Sequence, residues 1–263
     1  MSTFGVAMVK DEADIIGTTV RWMLTQVDHV IVADNGSTDG TREILAELGV
    51  EVVDDPECAY YQSRKMTALA RMALAAGATW VVPFDADEIW TSRWGRLGDV
   101  LGAIADYGIV TAELYDHMAT GLDDAAEPDP VRRMEWRRVA PLELPKVAFR
   151  ASCDVTVDQG NHWATYPVPA RPTEHARMIV HHLPYRSAEQ MIRKVRNGAA
   201  AYEATVGLPE TVGAHWRQWG RFSDEQIAAL FEKWYYRANP TRPVRIDNTR
   251  QPPLRRDPIR VAL

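Results

Sequence analysis

The chain has 263 residues, 46% hydrophobic and 25% charged, and its 30 basic against 36 acidic side chains give a net charge of −6. At about 150 residues per domain this length allows one large α/β domain or two small ones, with roughly three quarters of the unfolded surface buried. The acidic balance excludes duplex nucleic acid as the expected partner, and apolar runs such as Trp80–Phe84 fall far short of the ~20 residues of a membrane span.

The opening Met1–Gly5 has neither the basic nor the apolar region of a secretion signal, so a cytoplasmic chain is expected. Its two cysteines, Cys58 and Cys153, show no zinc or redox spacing and are expected to be free thiols.

In chain order, Phe4–Val9 reads as a strand and Asp11–Gln26 as an amphipathic helix, with Ile16, Val20, Met23 and Val27 at helical spacing. His29–Ala33 is a second strand, closed by the turn and cap cluster from Asp34 to Gly40. A helix carrying Ile44, Leu45 and Leu48 leads to strand Val50–Val53, helix Gln62–Ala76 and strand Trp80–Phe84. This βαβα alternation predicts an α/β fold with a mostly parallel central sheet flanked by helices, opening its strand C-termini onto one ligand-binding edge. The later half is less regular, with strands expected at Gly108–Leu114, Lys146–Arg150, Val155–Val157 and Met178–Val180. Ser187 and Gln190 form a capping box for a helix reaching about Tyr202, and another helix spans Asp224–Tyr236. Residues 1–105 form the expected regular α/β half, 106–236 a less regular half of the same domain, and 237–263 a basic, Pro-containing tail.

The sharpest feature is Asp85-Ala86-Asp87-Glu88 at the end of an apolar strand. Three acids in four residues repel one another unless a counter-ion is present, and a strand-end carboxylate pair suits a hard divalent cation completed by substrate phosphates. Asp34 ends the second strand, and Lys10 and Glu12 lie at the first βα junction on the same edge. Arg186 and Lys194, near the late capping box, are candidates for phosphate contact. Trp163, Tyr166, Trp216 and Trp219 are either core residues or sugar-stacking platforms.

The segments MVKDEADII, VADNGSTDGT, QSRKMTALARMALAAGATWVVPFDADE and HHLPYRSAEQMIRKVRNGAAAY together resemble the family 2 glycosyltransferases, inverting enzymes of the GT-A fold. The resemblance covers residues 4–90 well and 145–203 in part, and implies that the 1–105 half binds the nucleotide-sugar donor and the 106–236 half the acceptor. It implies that Asp34 contacts the nucleobase or ribose, Arg64 faces the donor diphosphate, Asp85 contacts the donor ribose or sugar, and Asp87 ligates Mn²⁺ or Mg²⁺. His182 matches a histidine that completes such a metal site. Adjacent side chains of an extended segment point to opposite sides, so only one of His181 and His182 can be a ligand, and a plain hydrogen-bonded pair is the alternative.

Inverting transfer needs a base for the acceptor hydroxyl. The resemblance implies a carboxylate between the central strands and the C-terminal helix, which Asp158 matches. His162 and Asp154 compete for that role, and Asp158 is otherwise a turn residue bonding its own backbone. The expected reaction moves a sugar from a nucleoside-diphosphate sugar to a hydroxyl of a small-molecule or envelope-precursor acceptor. The rivals are a nucleotidyltransferase, against which the absence of a Gly-rich basic loop after the first strand counts, and a non-catalytic nucleotide-sugar-binding protein.

Overall fold

A computed structural model describes residues 1–104, 106–167, 170–235, 241, 245–246 and 249–261. Its first half alternates as β1 (Thr3–Val9), α1 (Ile16–Gln26), β2 (His29–Asp34), α2 (Thr41–Glu47), β3 (Glu51–Asp54), α3 (Gln62–Ala75) and β4 (Trp80–Phe84). β1 lies between β2 and β4, parallel to both, with Val9 beside Asp34 and Ala7 beside Phe84. The loops after these strands therefore open on one edge. Ile16, Val20, Met23 and Leu45 pack with Ala7 and Val82 on one face, while Met66, Leu69, Ala70 and Ala73 pack with Phe4, Val6 and Val81 on the other. Cover on both faces is why these strands read as continuous apolar runs.

α1 starts five residues later than the periodicity predicts. Asp11 takes a left-handed backbone (φ 52°), and its carboxylate accepts from the Thr38 amide at 2.7 Å and from Asn197 Nδ2 at 2.8 Å. The side chain that would open the helix instead fastens the junctions after β1 and β2 to a later helix.

Next come β5 (Glu88–Ser92), α4 (Leu97–Ala103), β6 (Ile109–Asp116), α5 (Pro130–Arg133), β7 (Trp136–Arg138), β8 (Lys146–Arg150), β9 (Thr156–Val157), β10 (Ala164–Thr165) and β11 (Pro172–His182). The main sheet has the order β3-β2-β1-β4-β8-β6-β11-β5. β8 is antiparallel to both β4 and β6, and β5 is antiparallel to β11. The sheet is thus mixed and departs from the mostly parallel expectation, although six of its eight strands share one direction. Only Asp85–Asp87 separates β4 from β5, too short for the helical crossover a parallel neighbour requires. Because β8 sits between β4 and β6, the two sequence halves share one sheet.

The chain finishes with α6 (Ala188–Glu203), α7 (Ala214–Trp219), α8 (Asp224–Trp234), β12 (Arg245–Ile246), β13 (Thr249–Arg250) and β14 (Leu254–Arg256). Ser187 caps α6 by accepting from the Gln190 amide at 3.1 Å. Part of the expected basic tail lies outside the described residues. Of the remainder, β14 pairs antiparallel with β7, Leu254 and Ile259 are buried, and Asp257 accepts from the buried Arg137. Among the described residues no helix is long and apolar enough to cross a membrane.

Candidate active site

The acidic cluster follows β4 on the edge where β1 and β2 also end. Its mutual repulsion is met by side chains remote in sequence, a counter-charge that the sequence reading assigned to a metal. Lys146, at the head of β8, places Nζ 2.7 Å from both Asp85 Oδ2 and Glu88 Oε1, and donates to the Gly160 carbonyl at 2.8 Å. Asn161 donates to Asp85 Oδ1 at 3.1 Å. Burial pushes the Glu88 carboxyl above its ordinary range in spite of Lys146. Burial works against the charged Lys146 too, but Asp85 and Glu88 overcome it and hold the ammonium above its usual value.

Asp87 accepts from Lys194, with Arg186 Nη1 and His182 Nε2 each 3.7 Å from the same oxygen. Burial alone would raise this carboxyl, yet Lys194, His182 and Arg186 keep it far below the carboxylate range. His182 Nδ1 lies 2.8 Å from Asp116 Oδ1. Burial disfavours its charged form, but Asp87 and Asp116 outweigh that and raise its pKa. Were a cation to replace the Nε2 proton, the bond that Nδ1–H donates to Asp116 would hold the ring with its Nε2 lone pair on the Asp87 side, the outer-sphere arrangement that orients metal-binding histidines. A carboxylate suits Mn²⁺ or Mg²⁺, which complete their sphere with phosphate oxygens and water, and an added imidazole favours Mn²⁺, the softer of the two. The donor set therefore fits the implied cation. Among the described residues no group of three or more His, Cys, Asp and Glu is placed to hold a metal ion, so these two side chains would act with substrate oxygens.

His181 points the other way, as strand alternation requires. Its Nδ1 is 2.9 Å from His117 Nε2, and His117 Nδ1 is 2.7 Å from the Met134 carbonyl. Burial depresses both, His181 to about 4 and His117 to about 3, so the pair is neutral.

Three concavities surround these groups. One of about 240 Å³ is lined by Lys10, Asn35, Tyr60, Lys65, Lys194 and Trp216, among others. A second, of about 350 Å³, brings Gln62, Asp85, Asp87 and His182 together with Lys10, Glu12, Lys194 and Trp216, which also line the first. A third, wider depression of about 710 Å³ contains Asp158, His162 and Trp163.

The structure distributes the sequence-predicted residues unevenly. Lys10, Glu12, Asp85, Asp87, His182 and Lys194 all line the second cavity. Asp34 does not line any of the three; it is buried at the base of its loop, accepting from the Ser37 amide at 3.2 Å, and its neighbour Asn35 reaches the wall. Arg64 is exposed and paired with Glu57, whereas Lys65, rotated about 100° around α3, faces the first cavity with Nζ 2.6 Å from Asp55. Arg186 is buried beneath the site, where it binds Asp14 at 2.7 Å and also pairs with Glu12; it braces the floor and lines none of the three concavities. Asp154 is exposed and lines none of the three, while Asp158 and His162 share the third.

Lys65, Lys146 and Asp116 are not singled out by the sequence, whereas Trp216 is, as a core residue or a sugar-stacking platform. Lys146 carries a weak signal, a lone charge heading the apolar run Val147–Phe149. A glycine settles where Trp216 lies. A Cβ on Gly198 of α6 would stand 2.8 Å from its indole ring, so the glycine lets that ring lie against the helix and wall both donor-side cavities.

Residues 6–139 match the family model described as glycosyl transferase family 2. A TPR repeat-containing protein of Synechococcus elongatus is 32% identical over 95 residues, which are 34% of this chain and 23% of that protein, so the chain spans less than a quarter of that relative's length. Among solved structures, residues 1–349 of S. aureus TarS align with 88% of this chain and 71% of theirs at 14% identity and a TM-score of 0.43. Glucosyl-3-phosphoglycerate synthase from Mycobacterium tuberculosis, solved with Mn²⁺, uridine diphosphate and phosphoglyceric acid, aligns with 43% of each chain at 20% identity and a TM-score of 0.30. With about half its length matched by the family model and an α/β sheet whose strand ends gather the acidic cluster, the chain belongs to glycosyl transferase family 2.

Proposed function

We propose that this glycosyltransferase is metal-dependent and inverting, and that it moves a sugar from a nucleoside-diphosphate sugar to a hydroxyl of a small-molecule or envelope-precursor acceptor. The observation that carries the reading is the convergence of Asp87, His182, Lys10 and Lys194 on one cavity. Two cations and a carboxylate–imidazole pair in a single concavity match a diphosphate bound through a divalent ion. Asp87 and His182 would hold that ion, which supplies Lewis-acid stabilisation of the departing diphosphate.

The protein's own groups have distinct tasks. Lys10, Lys65 and Lys194 face the negative charge that grows on the leaving group. Asp85, held by Lys146 and Asn161, accepts hydrogen bonds from donor hydroxyls, and Asn35 rather than Asp34 approaches the nucleoside. Asp158 takes the proton of the acceptor hydroxyl as that oxygen forms its bond to the anomeric carbon. The bond from that carbon to the diphosphate oxygen breaks on the opposite face, and its electron pair leaves with the diphosphate. His162 is the second candidate base. Burial and the Lys146 charge push its pKa down, and the Pro145 carbonyl 2.8 Å from Nδ1 leaves Nε2 as the acceptor.

The test is to titrate a panel of nucleoside diphosphates against parent and Asp87→Ala with and without Mn²⁺. Asp87→Ala is expected to lose turnover and the Mn²⁺-dependent part of nucleotide affinity while staying folded. Full turnover in excess chelator would overturn the metal-dependent reading.

A further inference from the structure

The third depression differs in chemistry from the two beside it. Its walls come from Leu144 and Pro145, from Ser63 at the start of α3, and from the turn joining β9 to β10. That turn is closed by a hydrogen bond from the Asp158 amide to the Trp163 carbonyl at 3.0 Å, which sets the two residues side by side at its base. Gly160 takes a left-handed conformation (φ 74°), and a Cβ there would meet the His162 ring at 2.5 Å, so the glycine makes room for the imidazole to fold across the turn.

Trp163 is 37% exposed and Leu144 58% exposed, so both present apolar surface at the depression. Among the described residues no lysine or arginine lines this depression. The nearby ammonium of Lys146 is committed to Asp85, Glu88 and the Gly160 carbonyl. The lining thus combines a carboxylate, an uncharged imidazole, an amide, a hydroxyl and an exposed aromatic face. An anionic ligand would meet the Asp158 charge with nothing to offset it, and a purely apolar one would leave that carboxylate desolvated.

From this we infer that the depression is a binding site for a neutral saccharide, with Trp163 stacking on the apolar C–H face of a pyranose ring and Asp158 and Gln159 bonding its hydroxyls. The inference deepens the proposed function, on which it rests, by making the acceptor a neutral glycoside instead of a phosphorylated or lipid-like alcohol.

The probes are the methyl glycosides of glucose, galactose, mannose and N-acetylglucosamine, set against 3-phosphoglycerate and glycerol 3-phosphate. They are titrated into the full chain saturated with Mn²⁺ and the best-binding nucleoside diphosphate. The readout is the Trp163 indole N–H resonance, identified by its disappearance in Trp163→Phe. At least one methyl glycoside is expected to shift that signal saturably, while the two phosphates leave it in place. Aromatic contacts of this kind are worth enough that Trp163→Ala is expected to weaken saccharide binding by about 3–10-fold, with Trp163→Phe recovering part of the loss. Affinity is read for both variants from saturation-transfer signals of the sugar itself. A Trp163 signal that moves with the phosphates, or with none of the six probes, overturns the inference. In either case Mn²⁺-dependent nucleotide binding that survives leaves the donor-side reading intact, and its absence defeats that reading separately.

Discussion

Replacing Lys146 with methionine removes the one cation lodged between Asp85 and Glu88 while nearly preserving side-chain volume. The lysine side chain is 4% exposed and that of Glu88 is fully buried, so water cannot replace the contact to Glu88, although Asp85, 32% exposed, stays within reach of solvent. Breaking a buried ion pair by deleting one partner costs about 3–5 kcal/mol. For a chain of this size each kcal/mol lowers Tm by about 2–4 °C, so Lys146→Met is expected to melt roughly 6–20 °C below the parent. The loss has a predictable pH dependence. Glu88 already has a raised pKa, and without Lys146 it rises further. A carboxyl raised above its unfolded value favours the fold below that unfolded value, near 4.3, and stability drains away as pH climbs through the folded one. The deficit should therefore be larger at pH 7.5 than at pH 5, and Lys146→Met/Glu88→Gln should recover part of it at pH 7.5. Calorimetric scans of the three proteins at both pH values provide the measurement. A Lys146→Met variant melting within 2 °C of the parent at pH 7.5 would refute the buried-pair account.

His117 and His181 are buried neutral with depressed pKa values, so they support the fold above about 6.5 and lose that support as pH falls toward 3 to 4, at up to about 1.4 kcal/mol per pH unit for each group. His117→Gln should flatten the fall in Tm between pH 6.5 and 4.5, and an unchanged slope would count against a neutral pair. Gly198→Ala gains about 1 kcal/mol of helix propensity but forces a Cβ to 2.8 Å from Trp216, and overpacking typically costs about 1–3 kcal/mol. Slight destabilisation with weakened nucleotide binding is expected, whereas a more stable protein with parental affinity would remove Trp216 from the cavity wall. Asp158→Asn should slow transfer by about 10²–10⁴-fold with nucleotide affinity retained. Near-parental turnover there, together with inactive His162→Ala, would pass the base role to His162.

The strand-end position of Asp85–Glu88, the turn after β2, the cap of α6 and the alternation of His181 with His182 are all legible along the chain, because each depends on local spacing and on apolar runs of fixed period. So were Lys10 and Glu12 on the ligand edge. What neutralises the acidic cluster was not legible, since Lys146 and Lys194 lie 61 and 107 residues away from the carboxylates they meet. Arg64 and Lys65 are equally basic in sequence, and only the rotation of α3 decides that Lys65 faces the cavity while Arg64 pairs with Glu57 outside it. Arg186 has the charge of a phosphate ligand, yet its burial against Glu12 and Asp14 makes it a brace. The same holds for the sheet. Apolar runs mark the strands, but the three residues between β4 and β5 and the insertion of β8 between β4 and β6 go with the directions they take in the sheet. Local sequence determines what each segment can be; long-range pairing of charges and strand edges decides which side chains reach the site.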